Sequence, residues 1–171
     1  MKKVILLGYM GSGKSTVAKI LSQKLQLPYF DLDLMIEEKA GLSVKSIFSE
    51  KGEIYFRKLE HEIFHETVEK PQSLVLSVGG GTPCYANNHL LLTANNVVSV
   101  YLKASIDELF NRLADEKYHR PLISNAQPEE MKEFIAKHLF ERSYFYNQAK
   151  HIINVDGKSP EQISAEVENL I

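Results

Sequence analysis

Short apolar runs separated by amphipathic stretches make up most of this chain. Lys3-Val4-Ile5-Leu6-Leu7, Ser73 to Val78 and Val97 to Leu102 are near-continuous rather than alternating, the pattern of parallel strands covered on both faces. Leu27 to Phe30 and His151 to Val155 supply two shorter strand candidates. Between them, Val17, Ile20, Leu21 and Leu25 recur at helical spacing. A turn from Gly41 leads to a short helix ending near Glu50, and Gly52-Glu53 opens a longer one over 53–69 carrying Phe56, Leu59, Ile63 and Phe64. Residues 87–93 read as a short helix, and Ser105-x-x-Glu108 as a capping box before Leu109 and Leu113. Pro128 begins a helix to about 148, and Ser159-Pro160-Glu161-Gln162 caps the last one. Strands alternating with helices predict the α/β class: a three-layer αβα arrangement around a five-stranded parallel sheet. No repeat, low-complexity tract or linker divides residues 1–171, so one domain is expected.

The junction of the first strand and first helix carries the strongest chemical signal. Gly8-Tyr9-Met10-Gly11-Ser12-Gly13-Lys14-Ser15 fits G-x-x-x-x-G-K-[ST]. Glycines let the backbone curl with its N–H groups inward around phosphates, and the following helix points its positive end at them. Lys14 can set an ammonium at the transferable phosphate, and the Ser15 hydroxyl can ligate the accompanying Mg²⁺.

Other residues supply a second substrate. Asp31 and Asp33 end the second strand, the edge where open α/β sheets bind ligands; helix capping is the plainer role, and both roles can hold together. Arg57 and Glu60 share a helix face, giving a guanidinium fork suited to a carboxylate or phosphate. Gly79-Gly80-Gly81 at a strand end is expected to allow unusual dihedrals and a close ligand approach. The polar span 115–127, containing Arg120, reads as a lid, and Arg142 lies late in the long helix. His61-Glu62-Ile63-Phe64-His65 matches a zinc-protease signature, but Val68 and Pro71 occupy the places its extended form gives to Gly and His. Two partly exposed helix histidines are the preferred reading. Gly157-Lys158-Ser159 mimics a phosphate loop without its preceding glycine.

Composition narrows the setting. A net charge of -2 gives no basis for nucleic-acid or membrane-surface binding. The lone cysteine, Cys84, rules out an internal disulfide and is expected to be a small packed residue. With no signal-peptide or membrane-spanning pattern, a cytoplasmic monomer is expected. No Asn-Lys-x-Asp guanine selector occurs, so ATP is the expected nucleotide. From the residues alone, the chain is a small-molecule kinase.

The full set resembles the shikimate kinase family along nearly the whole chain. Gly8 to Thr16, Asp31-Leu32-Asp33, Gly52-Glu53-Ile54-Tyr55-Phe56-Arg57 with Glu60, Gly79-Gly80-Gly81, Arg120-Pro121-Leu122, and Arg142 followed by Tyr144 occur in the family's order. The resemblance implies a nucleoside-monophosphate-kinase-like phosphate-loop fold and ATP-dependent phosphorylation of the 3-hydroxyl of shikimate. It further implies that Gly11, Ser12, Gly13, Lys14, Ser15 and Thr16 bind ATP phosphates, with Ser15 and Asp31 serving Mg²⁺. Asp33 would hold the shikimate hydroxyls and assist deprotonation, from a helical substrate-binding segment at about 33–62. Arg57, Arg142 and the backbone at Gly80 would grip the carboxylate, with Glu60 steadying Arg57 and Gly79 and Gly81 also meeting the substrate. Arg120 would close from the lid, and Arg112 with the Asp156 to Pro160 turn would meet adenine. A gluconate kinase is the alternative on this fold; that family lacks the Gly79 to Gly81 and Arg57 set. A nucleoside monophosphate kinase or an ATP-binding regulator without turnover stands further off.

Overall fold

The computed structural model describes residues 2–115 and 127–171. Five strands, β1 (Lys3–Leu7), β2 (Tyr29–Asp31), β3 (Leu74–Ser77), β4 (Val97–Lys103) and β5 (His151–Asn154), form one parallel sheet in the order β2-β3-β1-β4-β5. The central strands are those with unbroken apolar runs: β1 and β3 are buried at every position. At one edge only Ile153 of β5 is buried, which accounts for the polar His151 and Asn154 there.

Helices follow the strands: α1 (Lys14–Leu25), α2 (Leu32–Ala40), α3 (Val44–Glu50), α4 (Glu53–Glu69), α5 (Ile106–Asp115), α6 (Pro128–Tyr146) and α7 (Pro160–Glu168). The chain leaves β1 toward β2 but leaves β3 in the opposite direction. Right-handed crossovers therefore put α1 on one face and the later connections on the other, and α7 returns to pack on α1. That reversal opens a crevice beyond the carboxyl ends of β1 and β3. No described helix is long and apolar enough to cross a membrane.

Boundaries depart from expectation where a side chain has another partner. The Ser105 hydroxyl accepts from the Glu108 N–H at 3.2 Å, but the Glu108 carboxylate turns to Arg112 Nε at 2.7 Å. Asp156 takes the Ser105 N–H instead, at 2.9 Å, so only half of the expected capping box forms. Complete boxes appear at Gln127 with Glu130 and at Ser159 with Gln162. The expected helix at 87–93 is a 3₁₀ segment over Asn88–Thr93, preceded by a 3₁₀ turn at Thr82–Cys84.

Candidate active site

Backbone conformation builds the first half of the crevice. Gly8, Gly11 and Gly13 hold φ of 150°, 82° and 91°. A Cβ on Gly8 would stand 2.7 Å from the Leu102 carbonyl oxygen, so only glycine fits that turn. Gly13 is the N-cap of α1, whose first turn holds no acid, leaving its N–H groups open to an anion. Lys14 Nζ donates to the Tyr9 carbonyl at 3.0 Å, which folds the ammonium back over the loop. Gly11, Gly13, Lys14, Ser15 and Thr16 line a cavity of about 610 Å³ together with Asp31, Asp33, Gly79, Gly80 and Arg112. Ser12 is buried beneath the loop.

Asp31 performs two tasks with its two oxygens. Oδ1 caps α2 by accepting the Asp33 and Leu34 N–H groups at 3.1 and 3.4 Å. Oδ2 receives the hydroxyls of Ser15 and Tyr29 at 3.0 and 3.1 Å. Ser77, in register with Asp31 on β3, brings its hydroxyl to 3.4 Å from that of Ser15. One carboxylate with hydroxyl oxygens beside a phosphate cradle fits Mg²⁺, which uses few protein ligands and completes its shell with phosphate oxygens and water. Asp33, in the first turn of α2, faces the same cavity. Burial first, then the charges of Asp31 and Glu60, push its carboxyl up to about 6, against an opposing pull from Lys14.

Side chains build the second half. A smaller cavity of about 330 Å³ is lined by Glu53, Ile54, Arg57, Gly81, Cys84, Tyr85 and Arg142. Arg57 Nη1 donates to Glu60 Oε2 at 2.7 Å, and Glu60 Oε1 accepts the Thr82 hydroxyl at 2.6 Å. Glu60 is fully buried, so these bonds are what make its charge tolerable there. Arg142 lies over the Tyr9 ring, 5.5 Å from its centroid. Four residues on, the Tyr146 hydroxyl donates to the Gly80 carbonyl at 2.6 Å, tying α6 to the glycine run.

The glycine run itself needs correcting. None of Gly79, Gly80 and Gly81 has positive φ, so unusual dihedrals are not their purpose. Each instead leaves space for a neighbour. A Cβ would approach Asp33 Oδ1 to 3.3 Å at Gly79, Arg142 Nη1 to 3.1 Å at Gly80, and Arg57 Nη1 to 2.7 Å at Gly81. The wall dividing the cavities is thus thin because the site's own charged groups press against it. Arg120 and nearly all of the stretch expected as a lid lie outside the described residues.

The family model described as shikimate kinase matches residues 10–171. The chain belongs to the shikimate kinase family. A curated shikimate kinase of Flavobacterium johnsoniae is 56% identical over 171 residues, covering 100% of this chain and 99% of that one. The crystal structure of shikimate kinase from Bacteroides thetaiotaomicron superimposes with a TM-score of 0.87 at 38% identity, covering 99% of this chain and 96% of that one. A shikimate kinase from Acinetobacter baumannii, solved in complex with shikimate, gives 0.86 at 28% identity, covering 99% and 92%.

In this chain the zinc-protease signature forms ordinary side-chain contacts. The imidazoles of His61 and His65 lie 4.1 Å apart by ring centroid, His61 Nδ1 meets Asn88 Oδ1 at 2.6 Å, and Glu62 lies 3.7 Å from Lys39 Nζ. Sequence reading missed Thr82, Cys84, Tyr85 and Tyr146. Only Tyr146 left a usable signal, standing one helical turn beyond Arg142. Cys84 is not simply a packed residue: it lines the smaller cavity, where burial pushes its thiol up to about 11.

Proposed function

We propose that this cleft transfers the γ-phosphoryl group of ATP to the 3-hydroxyl of shikimate, giving shikimate 3-phosphate and ADP. The observation that carries the reading is the shared wall. Gly79 and Gly80 border the phosphate-loop cavity, while Gly81 borders a notch holding two arginines, so an anion gripped in the notch presents its far side to the loop.

The loop N–H groups and the N-terminus of α1 bind the triphosphate, and Lys14 offsets negative charge as it spreads over the transferring group. Ser15 and Asp31 are the residues that would hold Mg²⁺, which when bound neutralises phosphate charge. Arg57, held by Glu60, and Arg142, seated on Tyr9, grip the carboxylate of shikimate. Asp33 sits on the wall between the two and orients the accepting hydroxyl. With its carboxyl near 6 it is ionised at neutral pH and still basic enough to draw on that proton. Arg120 is assigned to the phosphates from its place in the sequence, and Arg112, whose Nη1 donates to the Gly11 carbonyl at 3.3 Å, meets adenine beside Pro160. The chain's single cysteine, Cys84, cannot form an internal disulfide and suits a reducing, cytoplasmic setting.

The test is ADP release in the presence of ATP and Mg²⁺, with shikimate, gluconate and AMP offered in parallel. Turnover with shikimate alone is expected. Turnover with gluconate or AMP in its place overturns the substrate assignment.

A further inference from the structure

Behind the notch runs a chain of hydrogen bonds that the reaction itself does not call for. It starts at Arg57, whose Nη1 donates to Glu60 Oε2 at 2.7 Å. The other Glu60 oxygen accepts the Thr82 hydroxyl at 2.6 Å. The Thr82 carbonyl accepts Asn88 Nδ2 at 2.9 Å, and Asn88 Oδ1 meets His61 Nδ1 at 2.6 Å. Glu60, Thr82 and Asn88 are all fully buried.

The direction of each bond is fixed by its neighbour. A carbonyl can only accept, so the Thr82 carbonyl requires the amide NH₂ of Asn88 on its side. That turns Oδ1, an acceptor, toward the imidazole, and His61 Nδ1 must carry the hydrogen. The Thr82 hydroxyl likewise donates to a carboxylate that only accepts. Glu60 cannot rotate to leave Arg57 without stranding this hydroxyl in a buried site, and a buried unpaired polar group is costly. The sequence links the parts by an unusual route. His61 directly follows Glu60 on α4, yet it reaches Thr82 through Asn88, 27 residues further on.

We infer that Asn88 and His61 are positioning residues for shikimate: they clamp the Thr82 turn against Glu60 and so hold the Arg57 guanidinium at the angle the substrate carboxylate needs. This rests on the reading of Arg57 as a carboxylate grip. The histidine pair that mimics a metalloprotease signature gains a use here without a metal, through the first of its two imidazoles.

Steady-state kinetics of His61→Leu, His61→Gln and Asn88→Ala test the inference, with shikimate and with the analogue bearing a hydroxymethyl group in place of its carboxylate. His61→Leu removes one hydrogen-bond donor, so the shikimate KM should rise about three- to tenfold. The ATP KM should stay within about twofold, and His61→Gln, which can still donate to Asn88, should recover most of the loss. The penalty should vanish on the hydroxymethyl analogue, because Arg57 then has no anion to hold. Asn88→Ala should follow the same pattern more strongly; if it fails to fold, His61→Leu decides alone. An unchanged shikimate KM, equal rises in both KM values, or the same penalty on the hydroxymethyl analogue overturns the inference. Absence of shikimate turnover by the unaltered enzyme is a separate result: it overturns the functional reading, and this inference with it.

Discussion

The two halves of the crevice are built by different physics, and on the proposed reading each takes an anion. The phosphate cradle is a backbone structure: Gly8, Gly11 and Gly13 at positive φ aim N–H groups inward within one short stretch of chain. The carboxylate notch is a side-chain structure. Its guanidiniums come from α4 and α6, and they are held in place by a buried glutamate, a threonine on a 3₁₀ turn and a tyrosine ring. A backbone cradle is locally encoded and suits any polyphosphate. A side-chain notch draws on distant parts of the sequence, and that lets it be shaped to one substrate.

The largest effect should come from Lys14, whose ammonium folds back over the cradle. Lys14→Ala is expected to lower kcat by about 10³-fold, since it removes a preorganised cation from the transferring group. The shikimate KM should move little, because Arg57 and Arg142 are untouched. Stopped-flow or coupled assays at saturating ATP measure this. A shikimate KM that rises as steeply as kcat falls would mean that the two halves are not separable.

A pair of glycine substitutions tests the contrast next. Gly13→Ala forces an L side chain to φ of 91°, with no neighbour closer than Arg112 Nη1 at 3.6 Å. Its cost is conformational, about 1–2 kcal/mol of stability, with a raised ATP KM. Gly81 lies at φ of -94°, which alanine adopts readily, but the added Cβ would be 2.7 Å from Arg57 Nη1. Displacing a charged, hydrogen-bonded group should raise the shikimate KM roughly 10- to 100-fold while the fold and the ATP KM hold. Thermal melts beside the two KM values give the readout. Equal damage to both substrates by both variants would erase the distinction.

Asp33 lines the phosphate-loop cavity beside Gly79 of the dividing wall, and acid should expose it. With its carboxyl near 6 in the free enzyme, kcat/KM for shikimate should fall as pH drops through about 6, approaching tenfold per unit below it. Its effect on stability has the opposite sense to that of a salt-bridged aspartate. The folded value lies above the ordinary 3.8, so between about 6 and 3.8 the folded state binds more protons than the unfolded one. Stability from this group therefore rises as pH falls through that window, and at pH 7.5 the ionised carboxylate is a net cost. Asp33→Asn should raise Tm at pH 7.5 by about 2–6 °C, measured by calorimetry, with the gain fading toward pH 4. A Tm that falls at pH 7.5 would show that the carboxylate is stabilised by its surroundings.

What was legible in the sequence follows the same division. The parallel strands, the phosphate loop and its helix lay in contiguous patterns, and β1, α1, β3 and β4 came within a residue or two of the expected limits. Asp31 was open between capping and ligand work because spacing cannot say that one oxygen caps α2 while the other turns to the hydroxyls of Ser15 and Tyr29. Gly79 to Gly81 were noticed for the wrong reason: sequence shows a missing side chain but not which distant guanidinium needs the room. Thr82, Asn88 and Cys84 enter the site only because two 3₁₀ segments pack on each other and against α4 and α6, and no periodicity encodes that contact.

The smallest effect should be at Cys84, and it bears on which half a ligand occupies. Its thiol lines the notch but makes no hydrogen bond to either arginine in the structure, so Cys84→Ala should alter the shikimate KM by less than about threefold. Burial outweighs the pull of Arg142 and Arg57 and holds the thiol near 11. Thiolate at pH 7.5 is then about one part in 3,000, and alkylation by iodoacetamide should be slow, quickening about tenfold per pH unit up to that value. Shikimate should protect the thiol because it fills the notch, whereas ATP alone should leave the rate almost unchanged because its phosphates lie across the glycine wall. Mass-spectrometric labelling rates with each ligand provide the measurement. Protection by ATP alone, equal to that by shikimate, would mean that loading the cradle already closes the notch, and the two halves would then act as one site.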